Sequence, residues 1–256
     1  MIRALKRYGQ NFLQDRNVLA FMIEHSGACE NDCVLEIGPG HGILTRALLD
    51  ASVKCVHCVE LDERFRDELS LSDDRLHVHW GDAVTFDYDS LVPFPNKIIA
   101  NIPYNITTPL IWKLIQYAEH GLTYHMYMLQ KEAAIRLTAP PDTKARYPLG
   151  VTVEAIGRAS ILKNVSRECF RPIPNVDSVI AEIVIERNFE IACDSLWSEM
   201  LHRGFAHRRK TLQNNLKDFM SVPNEYAKMR AEDLTCDEWL KIYRELKKGR
   251  NVLTTL

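Results

Sequence analysis

The sequence has no run of apolar residues long enough to form a membrane-spanning helix, which argues against a helical membrane protein. Such a helix needs roughly 18 or more apolar residues in succession, and no segment of the 256 residues approaches that length. Residues 1–8 are basic but lead into polar Gly9-Gln-Asn11, without the apolar core of a signal peptide. We therefore expect a cytoplasmic protein with no membrane partner.

The chain also lacks a strong net charge, internal repeats and low-complexity segments. Its formal net charge is −2, so any nucleic-acid partner must be held by local basic patches. Hydrophobic residues make up 46% and charged residues 26% of the sequence, values of an ordinary globular protein rather than a disordered one. A chain of this length forms a full core and leaves room for a small second domain.

Cysteine is neither abundant nor regularly spaced. The seven cysteines are an odd number scattered over the chain, a distribution that favours reduced thiols over a disulfide framework. The segment Cys55-Val-His-Cys58 invites a zinc interpretation, but it lies in an apparent strand over residues 54–59. Residues three apart in a strand point to opposite faces, and no second Cys-x-x-Cys pair is present. We therefore expect no metal.

A glycine-rich turn follows the apolar strand that begins at Val34. Its glycines stand at positions 38, 40 and 42, where they allow the backbone to approach a ligand at the start of the next helix. A dinucleotide-binding fingerprint needs its third glycine at position 43, which is Ile43. The spacing instead resembles the S-adenosylmethionine-binding loop of Rossmann-like methyltransferases.

Acidic residues end the next two predicted strands. Glu60 ends the second strand, where a carboxylate is placed to accept hydrogen bonds from both ribose hydroxyls of a nucleotide cofactor. Asp82 follows a third strand over Leu76 to Trp80 and is placed to accept from the cofactor's adenine amine. Each acid alone is as consistent with a cap or a turn, but two successive strand ends favour a nucleotide site.

The segment Asn101-Ile-Pro-Tyr104 follows a further apolar strand over Lys97 to Ala100. The Asn101 side-chain oxygen and the Ile102 carbonyl are two acceptors for the N–H groups of an adenine amine, Pro103 stiffens the turn, and Tyr104 is placed to stack on the ring. Thr108-Pro109 predicts the start of the next helix.

Helices and strands outside these motifs are indicated by caps and periodicity. A helix is predicted from an Asp15 cap to a Gly27 stop. Strands are predicted over Leu122 to Leu129 and Ser178 to Ile185, and helical periodicity takes over near residue 188. Near the carboxyl end, Thr235-x-x-Glu238 is a capping box, and Gly249 is predicted to end the last helix.

Taken together, these motifs resemble the ribosomal RNA adenine dimethyltransferase family. The matching segments, in order, are Gly9-Gln-Asn-Phe-Leu13, Glu36-Ile-Gly-Pro-Gly40, Val59-Glu-Leu-Asp62, Gly81-Asp-Ala83, Asn101-Ile-Pro-Tyr104, Leu129-Gln-Lys-Glu132, Phe170-Arg-Pro-Ile-Pro-Asn-Val-Asp-Ser178 and Arg208-Arg-Lys-Thr-Leu-Gln-Asn-Asn-Leu216. The likeness spans nearly the whole chain and is strongest to the kasugamycin-resistance group. It departs from the family at Tyr147-Pro-Leu-Gly150, where a loop or a helix start is possible.

The resemblance implies an enzyme that dimethylates N6 of two adjacent adenosines near the 3′ end of small-subunit (16S) rRNA, with S-adenosylmethionine as methyl donor. It implies cofactor contacts at Gln10, Asn11, Leu13, Gly38, Gly40, Glu60, Leu61, Asp82, Ala83 and Asn101. It assigns catalysis to Asn101, Ile102, Pro103, Tyr104 and Phe170, with Tyr104 and Phe170 sandwiching the target adenine. RNA contacts are expected from Arg3, Lys6 and Arg7 and from Arg208, Arg209 and Lys210.

We therefore predict an α/β fold, a Rossmann-like class I methyltransferase domain with a mostly parallel seven-stranded sheet over residues 1–187. A small all-helical, RNA-contacting domain is predicted over residues 188–256. The expected partner is the small ribosomal subunit with its rRNA, and the expected state is a monomer. Three alternatives stay open: a large-subunit rRNA methyltransferase of the macrolide-resistance type, a non-catalytic ribosome-assembly factor on the same fold, and a nicotinamide oxidoreductase, which Ile43 disfavours.

Overall fold

The computed structural model of the protein describes residues 2–5 and 8–253, with side chains described as far as Arg250. The predicted RNA contacts Lys6 and Arg7 lie outside the described residues. The strands are β1 (Phe12–Leu13), β2 (Cys33–Ile37), β3 (Cys55–Glu60), β4 (Leu76–Trp80), β5 (Lys97–Asn101), β6 (Tyr124–Gln130), β7 (Gly157–Val165), β8 (Phe170–Arg171) and β9 (Ser178–Ile185). The α-helices are α1 (Arg16–Ser26), α2 (Ile43–Asp50), α3 (Arg66–Leu69), α4 (Thr107–Leu114), α5 (Lys131–Leu137), α6 (Pro148–Ile156), α7 (Phe189–Cys193), α8 (Ser195–Gly204), α9 (Leu212–Leu216) and α10 (Cys236–Leu253).

Seven strands form one sheet in the order β4-β3-β2-β5-β6-β9-β7, and β1 pairs with β8 in a separate two-stranded sheet. β2 pairs in parallel with β3 and β5, β3 with β4, and β5 with β6, whereas β6 and β9 are antiparallel. Every residue of β2 and β3 is buried, as parallel strands covered on both faces require. The prediction of a mostly parallel seven-stranded, Rossmann-like sheet is confirmed.

The first long helix has the predicted boundaries. The Asp15 carboxylate accepts hydrogen bonds from the backbone N–H groups of Asn17 and Val18, at 2.8 and 3.2 Å, and so caps α1. Gly27 ends the helix in the left-handed conformation, with φ +55°. Both ends follow from residues that satisfy the free backbone groups of a helix terminus.

Two other helix boundaries were predicted wrongly. α4 begins at Thr107, after a 3-10 turn over Tyr104–Ile106, rather than at a Thr108 cap. α10 passes through Gly249 and continues to Leu253. An exposed helical glycine costs only about 1 kcal/mol, which does not end a helix held by its other residues. Near the departure from the family pattern, Pro148 occupies the first turn of α6, a position that proline favours.

The described chain forms two compact units, and the second is discontinuous in sequence. The first unit comprises the described residues up to Ala134 together with Ser160–Ile185. The second comprises Ile135–Ala159 together with the described residues from Glu186 onward. The sequence-based division at 187/188 assigned residues 135–159 to the first domain, so the structure places this segment differently.

Buried polar contacts hold this segment in the second unit. Arg146 is only 1% exposed; its Nε donates to the Leu234 carbonyl at 3.0 Å and its Nη1 to the Ala139 carbonyl at 2.9 Å. The Trp197 indole donates to Thr152 Oγ1 at 2.9 Å. A buried charge is stable only when it is well hydrogen-bonded, so these contacts fix the segment in place.

The expectation of reduced thiols is wrong for one pair, because Cys33 and Cys55 form a disulfide. The two residues begin β2 and β3 and are directly paired in register. Sequence spacing alone does not reveal this, since the parallel pairing of the two strands brings the residues together. Cys29, Cys58, Cys169 and Cys236 are free thiols.

No helix within the described residues has the length and apolar character needed to cross a bilayer.

Candidate active site

The turn between β2 and α2 brings backbone close to two neighbouring side chains. Gly40 has φ +52°, and a β-carbon there would lie 2.9 Å from Cε1 of Phe12. Gly38 has φ +65°, and a β-carbon there would lie 3.4 Å from Cδ of Pro103. Glycine is required where the backbone adopts this left-handed conformation in such limited space. The turn therefore packs tightly between the amino-terminal segment and the Asn101–Tyr104 turn.

Two acidic residues near the glycine turn, Glu60 and Glu36, are buried and hydrogen-bonded to the surrounding chain. Glu60, at the end of β3, accepts from the Gly40 N–H at 3.1 Å and from the Asp62 N–H at 2.8 Å. Glu36, in β2, accepts from Thr45 Oγ1 at 2.6 Å. Burial raises the pKa of Glu60 and raises the pKa of Glu36 to about 7. The third acid, Asp82, is exposed and accepts from the Val84 N–H at 2.8 Å.

The amino-terminal segment closes one side of the site. Gln10 accepts from the Leu5 N–H at 2.8 Å and donates to the Asp62 carboxylate at 2.9 Å. Leu13 in β1 pairs with Phe170 in β8. Through these contacts the amino-terminal segment packs near the carboxyl end of β3 and against β8, although these elements are far from it in the sequence.

Asn101 ends β5 with its side-chain amide oriented by the amino-terminal segment. Its Nδ2 donates to the Asn11 carbonyl at 3.3 Å, which makes Oδ1 the acceptor of the side chain. In the following turn Tyr104 Oη lies 2.7 Å from Ser178 Oγ, the first residue of β9. Burial raises the pKa of Tyr104, so the phenol stays protonated at neutral pH. The turn thus presents an amide acceptor beside an anchored aromatic ring.

One cavity of about 300 Å³ joins these elements. It is lined by every predicted cofactor residue and by the four residues of the Asn101–Tyr104 turn: Gln10, Asn11, Leu13, Gly38, Gly40, Glu60, Leu61, Asp82, Ala83, Asn101, Ile102, Pro103 and Tyr104. Leu61 is 48% exposed, so an apolar side chain is available to a ligand at the rim. The residues predicted to bind the cofactor and the Asn101–Tyr104 turn, predicted to bind the target base, therefore line the same cavity.

The lining of the cavity is acidic. Glu36, Glu60 and Asp82 line it, whereas no lysine or arginine does among the described residues. His41, the histidine of the lining, is paired with Glu68. A site with this charge favours a cationic ligand over an anionic one.

Phe170 is placed differently from the other predicted catalytic residues. Its side chain is fully buried, in a core cluster that includes Leu13, Met22 and Met128. It does not line the cavity. The ring supports the back of the site through Leu13, and its stacking on a target base stays a prediction.

Three residues of the site were not predicted from the sequence. Glu36 is the acid whose carboxyl lies behind the glycine turn, and its signal was a single charge in an otherwise apolar buried strand. Phe12 contacts Gly40 and lies 4.4 Å from the His41 ring. Ser178 anchors the Tyr104 hydroxyl, and this contact joins distant segments, so no local pattern predicts it.

The predicted basic residues differ in how free they are to contact RNA. Arg3 is exposed in the first unit. In the second unit Arg209 and Lys210 are exposed, whereas Arg208 lies 3.9 Å from the Glu232 carboxylate. Arg208 is therefore partly neutralised within its own unit.

Known proteins resemble this chain over nearly its whole length. It is 36% identical over 250 residues to Ribosomal RNA small subunit methyltransferase A of Chromobacterium violaceum, covering 94% of this chain and 95% of that protein. It is 36% identical over 255 residues to the protein of the same name from Shewanella loihica, covering 95% and 94%.

Among solved structures, a dimethyladenosine transferase from Plasmodium falciparum superimposes with a TM-score of 0.80 and 28% identity, covering 93% of this chain and 98% of that one. The 23S rRNA methyltransferase ErmE superimposes with a TM-score of 0.68 and 23% identity, covering 93% and 100%; this likeness shows the fold alone. The profile of the family described as "Ribosomal RNA adenine dimethylase" matches residues 1–248, and the chain belongs to this methyltransferase family, as the sequence motifs predicted.

Proposed function

We propose that this enzyme transfers methyl groups from S-adenosylmethionine to N6 of two adjacent adenosines near the 3′ end of small-subunit (16S) rRNA. The family membership and the small-subunit methyltransferases at 36% identity support this reaction. The observation that carries the mechanism is the shared cavity, in which the cofactor residues and the Asn101–Tyr104 turn are neighbours.

The residues of the cavity fit S-adenosylmethionine. When bound, this cofactor supplies an electrophilic methyl group on a positively charged sulfur, which suits a lining that has acidic side chains and, among the described residues, no lysine or arginine. The pyrophosphate of a nicotinamide cofactor would meet the same acids unfavourably. Glu60 and Asp82 are placed at successive strand ends to accept from ribose and adenine, and Leu61 and Ala83 offer apolar surface between them.

Asn101 and Ile102 act on the target amine. The N6 amine of adenine is a poor nucleophile because its lone pair is delocalised into the ring. Asn101 Oδ1 and the Ile102 carbonyl each accept one N–H, which favours a pyramidal nitrogen and localises the lone pair. Tyr104 stacks on the base, and Ser178 fixes the direction of its ring.

Proton removal requires no strong base in this mechanism. The amine becomes acidic once it carries the new methyl group, so its proton leaves after transfer. Because burial raises the pKa of Tyr104, this phenol serves as a stacking surface and not as a base. The role of the chain is to position the amine and to stabilise the transition state.

The RNA is held by basic residues outside the cavity. Arg3, Arg209 and Lys210 are exposed and suited to phosphate contacts. The target adenosine must leave its stack to reach the cavity, which suits a single-stranded loop. We propose that the enzyme acts as a monomer on the small ribosomal subunit in the cytoplasm and that no metal takes part in methyl transfer.

Substitution of Asn101 tests the mechanism. Asn101→Ala should slow single-turnover methyl transfer about 100- to 1000-fold, the usual effect of removing one transition-state acceptor, while the protein stays folded. Asn105→Ala is the matched control, because Asn105 lines the same cavity but is not one of the two acceptors. Transfer by Asn101→Ala at the rate of this control would contradict the assignment.

A further inference from the structure

A cluster of sulfur and imidazole groups lies at the amino-terminal part of β2 and β3. Cys33 and Cys55 are register partners, and His57 follows Cys55 by two residues, so both point to the same face of β3. The two Sγ atoms and one ring nitrogen of His57 all lie within 4.8 Å of one another, and all three residues are buried. None of the three lines the cavity.

Cys58 does not belong to this cluster. Its Sγ lies on the other face of β3, 3.5 Å from Glu36 and 3.9 Å from Thr45. Cys55 and Cys58 therefore face opposite sides of the strand and cannot share one ion. The expectation of no metal left out Cys33, which the neighbouring strand supplies.

The His57 ring is held on both sides. Its Nε2 lies 2.9 Å from the Pro93 carbonyl oxygen, and the same oxygen lies 3.4 Å from Cys33 Sγ. On the other side, Nδ1 lies 3.0 Å from Nε2 of His79. A metal-binding histidine typically uses its second nitrogen in a hydrogen bond of this kind, which fixes the orientation of the ring.

We propose that in the reduced protein Cys33, Cys55 and His57 bind one Zn²⁺ ion through their two thiolates and one imidazole nitrogen. Two thiolates and an imidazole suit this borderline-soft ion. Tetrahedral bonds of about 2.0–2.3 Å separate neighbouring ligand atoms by roughly 3.3–3.8 Å. On reduction the two Sγ atoms, which are bonded to each other in the disulfide, must therefore move apart to this separation. The three ligand atoms lie within 4.8 Å of one another, so the widest distance among them needs to shorten by at most about 1.5 Å.

The disulfide and the zinc site are alternative states of the same pair. A dithiol reductant transfers two electrons and two protons to the disulfide, which yields two thiols and the oxidised reductant. Zn²⁺ then displaces the two thiol protons. Both states join β2 to β3 at one end, roughly 16 Å along β2 from the glycine turn. Zinc should therefore stabilise the reduced chain without occupying the catalytic cavity.

The test uses full-length protein reduced with dithiothreitol and freed of it by anaerobic gel filtration. A thiol count should give seven, the number of cysteines in the chain; a count of five would show that Cys33 and Cys55 stay joined and would overturn the proposal. Co²⁺ should then produce thiolate-to-cobalt charge-transfer bands that saturate at about one equivalent per chain, the expected site stoichiometry. Zn²⁺ should abolish these bands and raise the melting temperature.

Variants separate this site from unspecific thiol binding. Cys33→Ser and His57→Gln should each weaken Zn²⁺ binding at least about tenfold, because even an outer-shell partner typically contributes that much. Cys29→Ser is the matched control, an exposed cysteine of the same unit, and should bind like the wild type. Equal losses in Cys29→Ser and Cys33→Ser, or a reduced, folded wild type without cobalt bands, overturn the proposal.

The wild-type protein provides a second readout should a variant fail to fold. Zn²⁺ should slow the alkylation of Cys33 and Cys55 by iodoacetamide and leave that of Cys29 unchanged, as followed by peptide mass spectrometry. Alkylation of Cys33 and Cys55 at the same rate with and without Zn²⁺ would contradict the site.

Discussion

Gly40 provides the sharpest test of the glycine turn as a rigid cofactor cradle. Its φ is +52°, and a β-carbon would lie 2.9 Å from Cε1 and 3.2 Å from Cδ1 of Phe12. The Phe12 ring has little room to retreat, since it packs 4.4 Å from the His41 ring and 5.8 Å from the Phe65 ring. We predict that Gly40→Ala leaves a folded protein with weakened binding of S-adenosylmethionine.

Two contributions determine the magnitude of this effect. An alanine in the left-handed region costs roughly 1–2 kcal/mol, and forcing a methyl group into a packed site costs about 1–3 kcal/mol more. Gly27 separates the two, because its φ is +55° but nothing lies within 4 Å of a β-carbon there. Gly27→Ala should therefore lose only the first contribution. If the turn moves to relieve the clash, it leaves the conformation that binds the cofactor. We expect binding of S-adenosylmethionine to weaken by about 1.4 to 2.8 kcal/mol, which is 10- to 100-fold in Kd.

Isothermal titration calorimetry with S-adenosylmethionine and urea unfolding, both performed on the two variants, provide the comparison. Gly40→Ala should lose both affinity and stability, whereas Gly27→Ala should lose stability alone. If Gly40→Ala binds the cofactor as tightly as Gly27→Ala does, the glycine turn is not a rigid cradle for S-adenosylmethionine.

Two further predictions concern charge. Replacing Arg209 and Lys210 by alanine should weaken binding to small subunits and reduce the slope of log affinity against log salt by about 0.7–0.9 per lost phosphate contact; Arg208→Ala should change it less, because Arg208 faces Glu232. Equal slopes in filter-binding assays would show that these residues only face solvent. Burial raises the pKa of Glu36 from 4.5 to about 7, so the folded state favours the protonated carboxyl. This stabilisation is present below pH 4.5 and is lost as the pH rises to about 7, by about 1.4 kcal/mol per pH unit. Glu36→Gln should remove this part of the pH dependence in urea unfolding; parallel profiles for variant and wild type would contradict it.

Local signals in the sequence predicted most of the first unit. Runs of apolar, β-branched residues predicted the strands. Asp15 and Gly27 predicted the two ends of α1, because capping residues act on neighbouring backbone groups. The residues of the cofactor cavity were predicted because each follows a strand, and the carboxyl ends of parallel strands meet at one edge of a sheet. The family resemblance then supplied the identity of the ligands.

Features that depend on contacts between distant segments were not predicted. The pairing of Cys33 with Cys55 follows from the register of two strands, and the anchoring of Tyr104 by Ser178 joins residues 74 positions apart. The placement of residues 135–159 in the second unit depends on the buried Arg146. Periodicity carries no information on such partners, since it describes only one element at a time.

Product analysis on ribosomal subunits is the most direct test of the proposed dimethylation of small-subunit rRNA. After one transfer the amine keeps a single N–H, so one of the two acceptors loses its hydrogen bond, which costs about 1–3 kcal/mol and slows the second step. Unmethylated small subunits are incubated with saturating enzyme and radiolabelled S-adenosylmethionine, and the labelled rRNA is mapped, digested and analysed by mass spectrometry. We expect N6,N6-dimethyladenosine at two adjacent positions near the 3′ end of the small-subunit rRNA. Monomethyladenosine alone, or label confined to large-subunit rRNA in a parallel incubation, would contradict it.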